Sequence, residues 1–309
     1  MANSMIRLGL VGLGKIARDQ HLPAITANPR FALTATADPQ GGLEGIASYS
    51  SLDALLDARL ALDAVVLCTP PSVRAGLAHR ALEAGLHVML EKPPAVELSQ
   101  VEAMVACAQR MGRSLMATWH SRETAAVDAA AAWLAGRRVD AVRLIWREDV
   151  RIWHPGQAWL LDQGGFGVFD PAINAFSILT QILPRPLKVE SGDLGIPANR
   201  HAAMTAQLTM RHGDAPVTCD LSILHSGHQQ WDITIETDAG RLELTEGGHR
   251  LSIDGESPTT GADAEYPRLY ARFADLIDAG QSDVDARPLA LVADAMTLCN
   301  RHMLPDFEF

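Results

Sequence analysis

Short apolar runs alternate with amphipathic segments through the first third of the chain. The runs predict buried strands, and the segments between them repeat their apolar positions at helical spacing. The predicted strands are 6–11, 31–37, 64–68, 87–90 and 114–118, and the predicted helices are 16–28, 52–58, 73–84 and 99–111. This alternation is typical of a parallel sheet that is covered by helices on both faces.

After about residue 120 the pattern changes to a few helices and many short strands. Helices are predicted at 122–134, 168–183, 266–279 and 288–303, and strands at 141–146, 187–194, 203–210, 217–224, 231–237, 241–245 and 249–253. We therefore predict an α/β protein with an N-terminal Rossmann parallel sheet at 1–120. A C-terminal α+β domain with an open, mostly antiparallel sheet follows at 121–309, and its last helix is expected to pack back on the Rossmann domain.

Length and charge narrow the classes of protein that this chain can represent. A chain of 309 residues suits two domains, and its net charge of -11 disfavours nucleic acid or an anionic membrane as partner. The sequence contains no run of about 18 apolar residues, so no membrane span is predicted. The start lacks the pattern of a secretory signal, and the four cysteines form no CxxC pair. We expect a cytoplasmic protein without a metal site.

A glycine-rich turn follows the first predicted strand. Gly12-x-Gly14-x-x-Ala17 matches the G-x-G-x-x-G/A fingerprint of dinucleotide-binding folds. The first glycine permits a tight turn, the second admits pyrophosphate, and the small third residue lets helix and strand pack closely. Backbone amides at the start of the helix, at Lys15 and Ile16, would face the anion.

The residue at the end of the second strand bears on the choice of cofactor. Asp38 can accept hydrogen bonds from the adenosine ribose hydroxyls, and its charge would repel a 2′-phosphate. Pro39 stands where an arginine would be needed to bind that phosphate. This favours NAD over NADP, and use of NADP stays possible if a neighbouring loop supplies positive charge.

Four motifs together resemble one protein family. Gly12 to Ala17, Thr69-Pro70-Pro71, Glu91-Lys92-Pro93 and Asp170-x-x-x-Asn174 are similar to the Gfo/Idh/MocA oxidoreductases over essentially the full length. Residues 15–24, 117–121, 153–157 and 167–171 resemble the branch that contains the bacterial L-arabinose and D-galactose 1-dehydrogenases. The resemblance implies hydride transfer from C1 of an aldopyranose to nicotinamide. It also implies cofactor contacts, which are Thr69, Pro70, Glu91, Lys92 and His120.

The chemistry of the reaction assigns roles to three residues. Asp170 and Asn174 lie one helical turn apart, so they face the same way. Asp170 would accept the C1 hydroxyl proton, Lys92 would stabilise the charge on that oxygen, and Asn174 would orient the sugar. Two alternatives stay open: Lys92 as the proton acceptor, and Asp170 as a helix cap.

The distribution of tryptophan favours a sugar substrate. Five of the six tryptophans lie between Trp119 and Trp159, and the sixth is Trp231. Aromatic rings pack on the apolar faces of sugars. We therefore expect Trp153, His154 and Trp231 at the substrate, with Glu148 accepting from hydroxyls and His120 near the nicotinamide. The alternative places these aromatic residues in the core or at a contact between subunits.

These features predict an NAD(P)-dependent aldose 1-dehydrogenase whose partner is a small sugar. By analogy with such substrate domains, we expect a homo-oligomer. Two other functions stay open. One is a catalytically silent regulator that binds sugar and NAD, since fold alone does not establish turnover. The other is a dehydrogenase of an inositol or another sugar.

Overall fold

The computed structural model describes residues 4–258, 260–262 and 264–309, which form two compact units. The first unit contains the described residues up to His120 together with Ala264–Ala286. The second contains the described residues from Ser121 to 262 together with Arg287–Phe309. In the part of the chain that is described, no helix combines the length and the apolar character needed to cross a membrane.

The first unit is built on a six-stranded parallel sheet in the order β3-β2-β1-β4-β5-β6. Its strands are β1 (Ile6–Val11), β2 (Phe31–Ala37), β3 (Ala47–Tyr49), β4 (Ala64–Leu67), β5 (His87–Leu90) and β6 (Leu115–Ala117). All four residues of β4 are buried, as expected of a strand that is covered on both faces. The strand order reverses at β1, and in such sheets ligands bind beyond the carboxyl ends of the strands at this point.

Nine α-helices occur among the described residues. They are α1 (Leu22–Ala27), α2 (Leu52–Asp57), α3 (Pro71–Glu83), α4 (Leu98–Met111), α5 (Ala125–Leu134), α6 (Val150–Trp153), α7 (Phe169–Ile182), α8 (Glu265–Ala279) and α9 (Arg287–Leu298). A π-helical turn, Ala17–His21, leads directly into α1. The predicted strands and helices of the Rossmann sheet are confirmed, and β3, a largely exposed strand of three residues, was not predicted.

The second unit is built on an eight-stranded mixed sheet in the order β13-β12-β11-β7-β10-β9-β8-β14. Its strands are β7 (Val139–Arg147), β8 (Leu187–Pro197), β9 (Thr205–His212), β10 (Ala215–Ser222), β11 (Gln230–Thr237), β12 (Gly240–Thr245), β13 (Arg250–Ile253) and β14 (Asn300–Leu304). Pairing is antiparallel except between β7 and β10 and between β8 and β14. Residues of β9 and β10 alternate between buried and more exposed positions, and α7 and α9 pack against the sheet. The predicted open, mostly antiparallel sheet is confirmed.

The two late helices differ from the expectation. The predicted helix 288–303 ends at Leu298, and β14 continues the chain by pairing in parallel with the edge strand β8. The free hydrogen-bonding edge of β8 explains this change, because pairing there satisfies backbone groups that a longer helix would satisfy locally. Helix α9 belongs to the second unit and packs on α7 and β8, and its expected packing on the Rossmann domain stays a prediction. Helix α8 belongs to the first unit and packs into the core beneath β1 and β2.

Candidate active site

The glycine-rich turn has the geometry that a dinucleotide requires. Gly12 has a φ of +88°, and a Cβ added there would lie 3.0 Å from the carbonyl carbon of Cys68 and 3.1 Å from the amide nitrogen of Thr69. A Cβ added at Gly14 meets nothing within 4 Å, which leaves that side of the turn open to a ligand. Ala17 is fully buried, so the turn and the following helix pack closely. These residues fit a bound pyrophosphate.

This geometry predicts opposite effects for alanine at the two glycines. Gly12→Ala is expected to lower the melting temperature, because the new Cβ meets backbone and the left-handed conformation costs roughly 1–2 kcal/mol. Gly14→Ala should preserve the melting temperature while weakening NAD binding at least about tenfold, since its methyl group enters the ligand's space. Thermal unfolding and calorimetric titration with NAD measure both effects. Unchanged NAD affinity in Gly14→Ala would contradict the placement of pyrophosphate.

Asp38 lies beside the glycine-rich turn. Its Oδ2 accepts a hydrogen bond from the Leu13 amide at 2.7 Å, and its Oδ1 accepts one from the Gln40 amide at 2.7 Å. Each carboxylate oxygen has a second lone pair, so both can still accept from a ribose hydroxyl. The carboxylate therefore holds two loops and presents negative charge at the end of β2.

The remaining residues predicted at the cofactor occupy different surroundings. Lys15 is exposed and pairs with Asp19 one helical turn later, and Ile16 packs against the core of the first unit. Pro70 precedes α3 as its N-cap residue. The Thr69 hydroxyl is buried and has no hydrogen-bond partner among the described residues. A buried hydroxyl of this kind, at the end of β4, fits a polar group of a bound cofactor.

Lys92 follows β5 in a loop whose backbone is held from several sides. The Lys92–Pro93 peptide bond is cis. Arg74, a buried residue of α3, donates to the Glu91 carbonyl oxygen at 2.6 Å and also to the carbonyl oxygens of Pro93 and Thr69. The Lys92 amide donates to Glu91 Oε2 at 2.9 Å. The loops after β4 and β5 are therefore joined through one guanidinium group.

Glu91 was predicted at the cofactor, but its side chain faces the interior of the first unit. Its Oε1 lies 2.9 Å from His21 Nε2 and accepts from the Tyr266 hydroxyl at 2.8 Å. Its residue surface is only 4% exposed. Burial alone would raise the pKa of Glu91, yet the hydrogen bond and charge of His21, with weaker effects of other cations, hold it well below its usual value. The carboxylate is therefore ionised and bound to protein groups.

His21 is the partner of Glu91 and is fully buried. Its Nδ1 lies 2.9 Å from the Tyr270 hydroxyl. Burial opposes the charged imidazolium, but the nearby Cys68 thiol and the Glu91 carboxylate more than offset this and raise the pKa of His21 to about 10. An imidazolium and a carboxylate thus form a buried ion pair in the first unit.

His120 is the last residue of the first segment of this unit. Its Nδ1 lies 3.5 Å from Glu265 Oε2, and its ring stacks on Tyr266 with centroids 5.8 Å apart. Both contacts come from the start of α8. The ring is partly exposed, so it is held in place and one part of it stays accessible.

Asp170 lies in the first turn of α7 in the second unit. Val168 is the N-cap residue of this helix, so Asp170 stands two residues after the N-cap position. The carboxylate is almost completely buried, and its Oδ2 lies 3.7 Å from Nε2 of His154. Asn174 follows one turn later and is half-buried. The carboxylate therefore lies at the start of the helix and close to an imidazole.

The predicted aromatic residues cluster in the second unit. The Trp231 ring lies 5.0 Å from that of Trp153 and 5.9 Å from that of Trp146. Its indole N–H donates to Oε2 of the buried Glu148 at 2.9 Å. Trp153 is 41% exposed, whereas Trp146 is buried. Trp153 and Trp231 therefore offer aromatic surface, and Trp146 serves the core beneath them.

Two comparisons with known proteins establish the family. Residues 6–118 match the Gfo/Idh/MocA profile, described as an oxidoreductase family with an NAD-binding Rossmann fold. The chain is also 43% identical over 297 residues to galactose 1-dehydrogenase from Pseudomonas fluorescens, an alignment that covers 96% of each protein. The chain belongs to the Gfo/Idh/MocA oxidoreductase family. It is therefore an NAD-binding oxidoreductase.

Solved structures of other proteins agree with this membership. The crystal structure of D-galactose-1-dehydrogenase from Rhizobium etli matches with a TM-score of 0.96 and 49% identity, covering 100% of this chain and 99% of that one. A 3-ketoreductase from Actinomadura kijaniata in complex with NADP and TDP-benzene matches with a TM-score of 0.84 and 18% identity, covering 98% and 100%. The second similarity concerns the fold alone.

Several residues of this Gfo/Idh/MocA protein that shape the Lys92 loop were not predicted. They are His21, Arg74, Tyr266 and Tyr270. His21 and Arg74 lie on predicted helices. A charged or polar residue on the buried face of such a helix was the sequence signal that could have identified them. The tyrosines of α8 gave no such signal, since their contacts span more than half of the chain. Among the described residues, no group of three or more histidine, cysteine or acidic side chains is arranged for a metal ion.

Proposed function

We propose that this protein oxidises an aldopyranose, such as D-galactose or L-arabinose, at C1 to the aldonolactone. The observation that carries the proposal is the buried Asp170 beside His154, one helical turn before Asn174. The galactose 1-dehydrogenases named above support the same reaction. When bound, the nicotinamide ring supplies the acceptor for the hydride from C1.

Asp170 is the proposed proton acceptor. Its buried carboxylate lies at the start of α7 and accepts the proton of the C1 hydroxyl. His154, 3.7 Å away, stabilises that negative charge when it is protonated. Asn174 binds a neighbouring hydroxyl by donating and accepting, and so orients the sugar ring.

Lys92 is the proposed charge stabiliser. Its backbone is fixed by Glu91 and belongs to the loop that Arg74 ties to the end of β4. An ammonium group that donates to the C1 oxygen stabilises the negative charge that develops there when the proton leaves. The rigid loop limits the reorganisation that this interaction costs during the reaction.

The remaining predicted residues are proposed to bind substrate and cofactor. Trp153 and Trp231 pack on the apolar face of the sugar, Glu148 accepts from a hydroxyl, and His120 contacts substrate or nicotinamide. Gly12, Gly14, Lys15, Ile16, Asp38, Thr69 and Pro70 hold the dinucleotide. Glu91 contributes to that site by holding the Lys92 loop.

NAD is proposed as the preferred cofactor because of Asp38. Asp38→Asn removes the negative charge near the adenosine ribose and should raise the ratio of kcat/KM with NADP to kcat/KM with NAD at least about tenfold. The substitution also removes a hydrogen bond from a backbone amide to the carboxylate, but this loss lowers kcat/KM with both cofactors alike. The ratio of the two values therefore reports only the effect of the charge. Steady-state assays with each cofactor at saturating sugar measure it, and an unchanged ratio would contradict this role.

An activity matrix tests the proposed reaction. Purified protein is incubated with NAD or NADP and a panel of aldoses and inositols, and reduced cofactor is followed by absorbance. Turnover of D-galactose or L-arabinose to the lactone is expected. If only an inositol is turned over, the proposed aldose substrate is wrong and an inositol takes its place. If calorimetry shows that sugar and NAD bind but no product forms, a catalytically silent regulator is favoured.

We further propose that the protein is a cytoplasmic homo-oligomer. The four cysteines are free thiols, which suits a reducing compartment. On β7 the half-buried Ile145 alternates with buried neighbours, so it lies on the opposite side of the sheet from the core, where a second subunit would cover it. Light scattering coupled to size-exclusion chromatography is expected to give a multiple of the monomer mass. A monomer at all concentrations would contradict self-association.

A further inference from the structure

We propose that Glu91 and His21 form a buried positioning pair that sets the location of Lys92. This inference rests on the proposed function, in which Lys92 acts on the sugar oxygen. In this proposal Glu91 positions Lys92 and does not contact the cofactor. His21, which the sequence pattern did not single out, positions Glu91.

Glu91 fixes the backbone of Lys92 directly. Its Oε2 accepts from the Lys92 amide at 2.9 Å, while Arg74 binds the Glu91 carbonyl oxygen at 2.6 Å. The single peptide group between Glu91 and Lys92 is therefore held at both ends, its carbonyl oxygen by Arg74 and its amide by the Glu91 carboxylate. Since Lys92 begins at the amide that Glu91 holds, a shift of the carboxylate moves the origin of the lysine side chain.

His21 in turn fixes Glu91. Its Nε2 lies 2.9 Å from Glu91 Oε1, and the Tyr266 hydroxyl donates to the same oxygen at 2.8 Å. His21 ends the π-helical turn Ala17–His21, and turns of this kind are frequent at functional sites. The histidine thus links the helix after the glycine-rich turn to the loop that carries Lys92.

Helix α8 completes the pair from a distant part of the chain. Tyr266 contacts Glu91, and the Tyr270 hydroxyl lies 2.9 Å from His21 Nδ1. Both tyrosines are buried together with Leu269 and Phe273 in the core of the first unit. The return of residues 264–286 to this unit therefore has a specific consequence, because it supplies two of the groups that orient Glu91 and His21.

A pair of variants separates positioning from general stability. Glu91→Gln leaves one acceptor oxygen, which does not accept hydrogen bonds both from the Lys92 amide and from His21 and Tyr266. Phe273→Leu is the matched control, because Phe273 is fully buried on α8 and packs on Phe31. It should lower the melting temperature without disturbing Lys92.

The location of Lys92 is measured without reference to turnover. The chain has three lysines, so lysine-labelled protein gives three side-chain NMR signals, and Lys92→Arg assigns the relevant one. At a temperature well below each melting point, the Lys92 signal should shift or broaden in Glu91→Gln and match the wild type in Phe273→Leu. We expect Glu91→Gln to lower kcat roughly 10- to 100-fold, with the dissociation constant for NAD changed less than about threefold.

Tyr266→Phe is the second variant in case Glu91→Gln does not fold, since it keeps the carboxylate and removes one hydrogen bond. If the Lys92 signal stays unchanged in Glu91→Gln and in Tyr266→Phe, or in whichever of the two folds, the proposal is overturned. An equal loss of kcat in Phe273→Leu would also overturn it. If Lys92→Met retains full turnover, the proposed role of Lys92 fails, while the NMR comparison still decides whether Glu91 positions it.

Discussion

Replacing Asp170 with asparagine is expected to lower kcat for aldose oxidation at least about 100-fold, as for the loss of a general base. Asparagine keeps the size of the side chain and can still accept a hydrogen bond, but it does not take up the proton of the C1 hydroxyl. The carboxylate is buried in the first turn of α7 and lies 3.7 Å from His154. Steady-state kinetics at saturating NAD and sugar measure the effect.

Asp162→Asn is a suitable control because Asp162 is an exposed acid in the same unit. It should change kcat less than about twofold, as expected of a surface substitution. Near-normal turnover in Asp170→Asn would refute the assignment of Asp170 as proton acceptor. Combined with inactivity of the Lys92 variant, that result would favour the alternative in which Lys92 accepts the proton.

Lys92→Met is expected to reduce kcat at least about 100-fold, because methionine keeps much of the side-chain length and removes the charge that we propose stabilises the C1 oxygen. The loss should fall mainly on kcat, since this interaction strengthens as negative charge develops in the transition state. The KM for the sugar is expected to change less. Initial rates over a grid of sugar and NAD concentrations separate the two parameters.

Lys188→Met is the matched control for this substitution, because Lys188 is an exposed lysine on β8. It should leave kcat and KM near their wild-type values. A rise in the sugar KM with unchanged kcat in Lys92→Met would mean that Lys92 binds the ground state and the transition state equally. The role in charge stabilisation would then be wrong.

Local patterns were enough to predict the Rossmann sheet and the glycine-rich turn. Strands such as Ala64–Leu67 are continuous apolar runs, and Gly12 lies where a strand meets a helix, so neighbouring residues carry the information. The predicted Asp170 and Asn174 lie on one helix at the expected spacing. Their catalytic roles remain predictions that the variants above test.

The late part of the chain was predicted less well because its structure depends on distant partners. Residues 300–303 were predicted to continue a helix, yet residues 300–304 pair with the edge of β8. Helix α8 has an ordinary amphipathic pattern, and nothing local indicates that its apolar face joins the core of the first unit. Edge pairing and domain membership are decided by contacts between residues far apart in sequence.

The amino-acid sequence by itself determined the class of fold, the dinucleotide turn and which side chains are candidates for the reaction, since periodicity and residue chemistry are local properties. The tertiary structure alone decided what surrounds those side chains. Glu91 reads as a ligand-binding acid in its motif, but His21 and Tyr266 surround it from 70 and 175 residues away. The fold requires these partners because an ionised carboxylate that is buried away from water is costly unless other groups pair with it. Those groups come from parts of the chain that only the tertiary structure brings together.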